Sequence, residues 1–208
     1  MATTPYFILS PNTILSIVGL IHGPDKTVPT PAEDWRQAKV DVVIPALNEE
    51  KTICMCLDSL TRQTMKPRQI LLIDDGSKDR TVELARDFCK VNGMEITIIQ
   101  RQAPIGKTPT LKRQARELDS DVEFILDGDT ILESPDYIAR TVEELYKAVG
   151  IASACGVVQS MRRKDRSQLA EQPGMKKLLE LHPDTPIYPR ANSFERFLMA
   201  VTSLYRDS

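Results

Sequence analysis

Ligands for a soft metal ion are scarce in this sequence: two histidines, His22 and His182, and four cysteines are spread over 208 residues, with no zinc-type spacing among them. Four cysteines are also too few to staple a chain of this length. Cys54 and Cys56 stand two apart on an expected helix and point away from each other, and Cys89 and Cys155 fall among apolar residues. All four are expected to be reduced core thiols, which points to a cytoplasmic compartment. An excess of charge is missing too. With 27 basic and 29 acidic residues the formal charge is −2, so nothing draws the whole molecule to nucleic acid, and an anionic ligand must be gripped locally. Apolar runs stay short of the ~20 residues that cross a bilayer. The N-terminal one, residues 6–9 and 13–21, is broken by Pro11 and Asn12, and no Lys or Arg precedes it as a secretory signal requires. Packing against the protein or docking on a membrane surface is expected of it.

What is present is a hydrophobic content of 41%, enough for one globular core. A proline-rich stretch at residues 24–31 separates an N-terminal segment and linker (1–38) from a regular alternation of strand-like and helix-like segments (39–160), with a third region at 161–208. Residues 40–44 read as a buried strand, and the next helix carries Ile53, Leu57 and Leu60 on one face. A strand at 70–73, a helix through Val82, Ala85 and Cys89 that stops near Gly93, and a β-branched run at 96–99 come next. A helix over about 109–118 leads to a strand ending at Asp127. Ser134 reads as an N-cap with Pro135 at the first helical position, followed by the stripe Ile138, Val142, Leu145 and Val149. Residues 151–158 close the series as a strand. Such alternation implies an α/β fold, an open, mostly parallel sheet with helices on both faces. Ligands of these sheets bind beyond the C-terminal ends of the strands, where the polar clusters at 45–50, 74–77 and 127–129 stand.

Alternation along a strand sends Asp127 and Asp129 to one side, and Gly128 lets the chain turn between them. Two carboxylates can converge there on a hard cation, Mg²⁺ or Mn²⁺, which needs only one or two protein carboxylates when substrate phosphates supply the rest. Alone, an Asp-Gly-Asp is an ordinary solvated turn. Residues 45–50, PALNEE, could grip a base or ribose, or cap the next helix through Asn48 with Glu49 and Glu50 at its positive end. Asp74-Asp75-Gly76-Ser77 is by itself a turn, although adjacent carboxylates behind a buried strand are costly without partners. Lys107, in Ile105-Gly106-Lys107-Thr108, stands before a helix whose free N–H groups favour phosphate. It belongs to no P-loop, because Arg101 and Gln102 stand where the upstream glycine is required, and a solvated lysine is the simpler alternative.

In this order, strand-PALNEE, strand-DDGS, GKT before a helix and strand-DGD resemble the nucleotide-binding half of the family-two inverting glycosyltransferases with the GT-A fold, over about residues 39–160. The resemblance implies that Pro45, Ala46, Leu47 and Glu49 line the nucleoside pocket, that Asp75 reads the uracil edge and that Lys107 lies near the diphosphate. It implies further that Asp127 approaches the ribose or metal and that Asp129 coordinates the metal. The donor is then a UDP-sugar, the acceptor a saccharide or lipid-linked molecule, and Mg²⁺ or Mn²⁺ stabilises the departing nucleoside diphosphate. Leu47 departs from the tyrosine, and Lys112 from the asparagine, that many members carry.

An inverting transfer also needs a general base, which the family places in a later acidic motif. Asp165, Glu171, Asp184 and Glu195 lie in 161–208, yet none stands in a recognisable family motif, and no base is assigned. The QxxRW acceptor motif of processive synthases is missing, since Trp35 is the sole tryptophan. The apolar stripe Phe194, Phe197, Leu198, Val201, Leu204 and Tyr205 needs a partner surface. Residues 161–208 therefore read as a partial acceptor-side region, and the chain as an incomplete GT-A fold from a larger synthase at the cytoplasmic face of a membrane. The basic run at 161–166 could touch anionic lipid or be a solvated connection. Competing readings are a nucleotide-binding module without turnover and an aspartate-nucleophile phosphatase, whose DxDxT motif is approached by DGDT although Ile131 stands where Thr or Val is expected. A nucleotidyltransferase is more remote, its glycine-rich first loop having no counterpart in PALNEE.

Overall fold

The computed structural model describes residues 34–147, 153–156 and 168–185, together with 17, 18 and 21. The chain divides into two compact units, one of residues 39–138 and 158–208, the other of 1–38 and 139–157. The first is built on a parallel sheet of β1 (Val40–Ala46), β2 (Gln69–Asp74), β3 (Thr97–Gln100) and β4 (Val122–Ile125), in the order β3-β2-β1-β4. Helices α1 (Ile53–Thr61), α2 (Thr81–Asn92) and α3 (Lys107–Glu117) alternate with the strands, and α4 (Tyr137–Tyr146) and α5 (Pro173–Leu181) follow. In the second unit, a 3₁₀ turn at Trp35–Gln37 is capped by Asp34, and the Arg36 guanidinium lies 4.5 Å from the centre of the Trp35 ring.

Val40, Val42, Val43, Ile44 and Ala46 are all buried. A strand flanked on both sides in a covered parallel sheet requires such apolar positions on both faces, and Asp41 is the charged exception. The chain steps from β1 outward through β2 to β3, then returns to the other side of β1 for β4. Strand order reverses between β1 and β4, and an open α/β sheet offers its ligand crevice at that reversal. Ala46 and Leu126 leave the sheet on either side of it.

α1 is buried from Ile53 through Leu60 rather than on one face alone, because α2 and α5 both pack against it. α2 ends at Gly93, whose φ of 63° brings the N–H groups of Gly93 and Met94 to the carbonyls of Lys90 and Cys89, a left-handed helix stop. α3 begins at Lys107, two residues earlier than its sequence pattern indicates, and β4 stops two residues short of Asp127. Ser134 does not cap α4. The helix starts at Tyr137, and the cap comes from Gln63, whose Oε1 accepts the Ile138 N–H at 3.1 Å while Nε2 donates to the carbonyls of Ser59 and Ser134. A buried carboxamide satisfied at both ends thus replaces the hydroxyl cap.

Residues 153–156 of the expected last strand are not in a strand, and Cys155 among them is exposed, so it is not a core thiol. Cys54, Cys56 and Cys89 are buried and free. Burial pushes all three thiols up, that of Cys89 to about 12, which leaves them as inert core groups. Val149, the N-terminal apolar segment apart from residues 17, 18 and 21, the proline-rich linker, the basic run and the 194–205 stripe lie outside the described residues. Among those described, no helix is long and apolar enough to cross a membrane.

One sheet position is electrostatically unfavourable. Asp41, fully buried, is satisfied by Arg68 Nε at 2.8 Å, Arg68 Nη2 at 2.5 Å and Gln69 Nε2 at 2.8 Å. Its β4 neighbour in register is Glu123, whose Oε1 is buried without a hydrogen-bond partner among the described residues. Burial, and then the charge of Asp41, push the Glu123 carboxyl up. A carboxyl raised on folding contributes stability below its unfolded value of about 4.3, and that contribution is lost as pH rises through the folded value. Glu123→Gln is therefore expected to gain about 1 kcal/mol at neutral pH, read as a Tm rise of roughly 2–4 °C. The gain should vanish near pH 4, as thermal melts across that range would show.

Candidate functional site

Four segments leave the C-terminal ends of the strands, and each meets the next. Segment 46–50 binds segment 74–81. The Asn48 N–H donates to Ser77 Oγ at 2.8 Å, Asn48 Oδ1 accepts the Lys78 N–H at 2.9 Å, and the Glu49 N–H donates to Thr81 Oγ1 at 2.7 Å. Asn48 takes a φ of 58° to do so, a conformation asparagine tolerates better than most residues. It is therefore not the cap of α1. Thr52 precedes that helix and makes no side-chain cap bond, while the Asn48 carboxamide ties two loops together.

Asp75 joins the second segment to the third. Its carboxylate accepts the N–H groups of Ile105 at 3.0 Å and Gly106 at 2.7 Å, and Arg101 Nη1 at 3.0 Å. Arg101 also donates to the Thr110 hydroxyl, which donates to the Gly106 carbonyl at 2.9 Å. These bonds fix the start of α3, and with it Lys107. The third segment reaches the fourth where Lys107 Nζ meets Asp127 Oδ1 at 2.5 Å. The fourth returns to the first at Gly128, where an added Cβ would lie 3.2 Å from Glu49 Cγ and 3.5 Å from Ala46 Cβ. Glycine leaves Glu49 its place, and the ring of loops is closed.

Charge follows this geometry. Burial pushes the Glu49 carboxyl up, the Thr52 hydroxyl at 2.8 Å pulls it back, and the charges of Asp129, Asp79 and Asp127 push it up again. Negative potential thus collects where the loops after β1 and β4 meet, with Lys107 set against it. Burial would raise Asp75 as well. The bonds from Ile105, Gly106 and Arg101 outweigh it and hold that carboxyl below its usual range.

The structure brings Ala46, Glu49, Lys107, Asp127 and Asp129 to this one edge. Pro45 and Ala46 remain paired in the sheet with Ile73 and Asp74, the Ala46 carbonyl accepts the Asp75 N–H at 2.9 Å, and Leu47 is exposed. Asp129 is exposed, its carboxylate meeting only the Thr130 hydroxyl, at 3.4 Å, among the described residues. Asp75 differs from the rest, since its acceptor positions are already filled by protein donors.

Among the described residues, one group of three metal-ligand side chains with mutually close donor atoms stands elsewhere: Glu83 and Asp87 on α2 with His182 after α5. Its imidazole is engaged on both sides, Nε2 with Asp87 Oδ2 at 2.6 Å and Nδ1 with Arg80 Nη2 at 3.1 Å. His182, Asp87 and Arg80 thus form a hydrogen-bonded network fastening the end of α5 to α2. A shallow concavity of about 320 Å³, lined by Asp79, Val82, Glu83, Arg86, Asp87 and Gln100, also lies along α2 rather than at the Asp127–Asp129 turn. In sequence, Arg101 serves only to exclude a P-loop, Ser77 stands only as the end of a polar cluster, and Asp79 and Thr81 attract no role. The signal for Arg101 is its position, directly after β3 on the edge that carries the other clusters.

A family model described as glycosyl transferase family 2 matches residues 41–200. The O-antigen chain rhamnosyltransferase RfbN of Salmonella typhimurium is 33% identical over 132 residues, 64% of this chain and 40% of that protein. Glycosyltransferase EpsJ of Bacillus subtilis is 43% identical over 125 residues, 60% of this chain and 36% of that protein. The match spans about two-fifths of the length of these relatives. The structure of mannosyltransferase PcManGT from Pyrobaculum calidifontis, in complex with GDP-Man and Mn²⁺, covers 63% of this chain and 38% of its own, with 23% identity and a TM-score of 0.49. Because the family match runs from the second residue of β1 to beyond α5, and so takes in all four strands and the ring of loops, the chain belongs to glycosyl transferase family 2.

Proposed function

We propose that this chain is the donor-binding part of an inverting glycosyltransferase that takes a UDP-sugar with Mg²⁺ or Mn²⁺ and serves a saccharide or lipid-linked acceptor at the cytoplasmic face of a membrane. The observation that carries the reading is the meeting of Lys107 with Asp127 at the strand-order reversal. A cation-bearing helix start meets a carboxylate turn at the edge where an open α/β sheet takes its ligand. Family membership leaves no place for the phosphatase alternative.

Asp127 and Asp129 fit a hard divalent ion. Both offer carboxylate oxygens, Asp129 is exposed, and a hard cation takes such oxygens together with those of a bound phosphate. The ion, when bound, supplies Lewis-acid charge for the departing nucleoside diphosphate. The protein supplies the rest. Lys107 adds positive charge at the start of α3, where the free N–H groups of the first turn also favour phosphate. Pro45, Ala46, Leu47 and Glu49 border the nucleoside. Asp75 serves the base side by fixing the Ile105 and Gly106 amides, since its own oxygens are engaged. Relatives named as an O-antigen chain rhamnosyltransferase and as an undecaprenyl-phosphate 4-deoxy-4-formamido-L-arabinose transferase support acceptors of both kinds.

The test is calorimetric titration of UDP into the purified chain with Mn²⁺ and again with EDTA. Binding that requires Mn²⁺ is the expected result. A folded chain that ignores UDP, or binds it equally in EDTA, would overturn the donor assignment.

A further inference from the structure

Lys107 is electrostatically misplaced in its own helix. It is the first residue of α3, where the positive end of the helix disfavours a cation, and yet its backbone is held there by the Asp75–Arg101–Thr110 bonds around Gly106. Such a lysine needs an anion, and Asp127 is the one it meets, with Nζ 2.5 Å from Oδ1. The backbone of Asp127 is fixed as well, its carbonyl accepting the Thr130 N–H at 2.9 Å and the Cys56 thiol at 3.6 Å. Both partner side chains are about half exposed, 53% for Lys107 and 47% for Asp127. An exposed pair of this kind shifts an equilibrium by no more than about five-fold. It is too weak to serve as a staple and cheap to exchange.

We infer that Lys107 is a tethered counter-ion that occupies Asp127 until donor arrives, so that a divalent cation and the ammonium compete for the same carboxylate and a nucleoside diphosphate relieves the competition. The inference rests on the donor-site reading above. A diphosphate would be the better partner for Lys107, because it carries more negative charge than one carboxylate and could also accept from free N–H groups at the start of α3. Once it draws the ammonium away, Asp127 is free for the cation. Cation and nucleotide then bind with positive coupling, and linkage requires each to strengthen the other by the same factor. Lys107 is the residue through which part of that coupling passes.

Mn²⁺ binding followed by the paramagnetic resonance of the free ion, with and without saturating UDP, tests this without any turnover. In Lys107→Met the affinity for Mn²⁺ alone should rise about two- to five-fold, while the strengthening of Mn²⁺ binding by UDP shrinks. Lys112→Met, which removes an equal charge further along α3, should leave Mn²⁺ affinity unchanged. Equal gains in the two variants would reduce the effect to general charge and overturn the inference. So would a Lys107→Met chain that binds Mn²⁺ no more tightly than the parent, with the donor site still intact if UDP binding remains Mn²⁺-dependent. Mn²⁺ that binds neither chain, with or without UDP, would overturn the donor-site reading and the inference together.

Discussion

Asp129→Asn is expected to weaken Mn²⁺-dependent UDP binding on the order of 100-fold, about 2.7 kcal/mol, while leaving the melting temperature unchanged. The carboxylate is exposed and takes part in no ion pair among the described residues, so the folded protein loses nothing when its charge is removed. What the substitution removes is one of two anionic oxygen donors available to a hard cation, and an amide oxygen is a weaker ligand for such an ion. Asp127→Asn would be a less clean experiment, because it also releases Lys107. Calorimetry of UDP at fixed Mn²⁺, paired with a thermal melt, separates the two outcomes. Unchanged UDP affinity in Asp129→Asn would remove this residue from the site.

Gly174→Ala, by contrast, should damage the fold and do so far from that site. A Cβ at this second residue of α5 would stand 2.5 Å from Asp58 Oδ1, 3.2 Å from Phe88 Cζ and 3.3 Å from Asn92 Oδ1. None of these can step aside freely. Phe88 is fully buried, and Asn92 donates to the carbonyls of both Phe88 and Gly174. Asp58 is almost wholly buried, so that burial pushes its carboxyl up against the opposing pull of Arg62 at 3.2 Å. The methyl must displace that carboxylate or lift α5 from α1 and α2. Overpacking of this kind costs about 2 kcal/mol, which corresponds to a Tm lower by roughly 4–8 °C. Chemical denaturation should show a lower midpoint with an unchanged slope.

The elements that position the site were readable because they are local. A run rich in valine and isoleucine marks β1, polar clusters follow the strands at once, and Gly93 stops α2. Each depends on neighbours in sequence. The bonds that shape the site do not. Asp75 is filled by donors from 101–106, and Asn48 leaves its capping role for Ser77 and Lys78. Gln63 caps a helix 75 residues away, which no inspection of Ser134-Pro135 could disclose. Glu49 offers the same lesson in electrostatics, for its raised carboxyl reflects burial and then Asp129, Asp79 and Asp127, residues brought near only by the parallel sheet. Cys155 departs from its sequence pattern for the opposite reason. Apolar neighbours in sequence predicted a core position, and residues 153–156 are all exposed.

The loop at 46–50 donates its amides to side chains of the segment after β2, and the segment after β3 donates its amides to Asp75. The loops after β1 and β3 are thus held in part by their neighbours. A chimera that imports PALNEE or its counterpart alone from a relative would arrive without the hydroxyls and carboxylates that hold it, so the shape of this edge is transplanted by grafting its segments as one block.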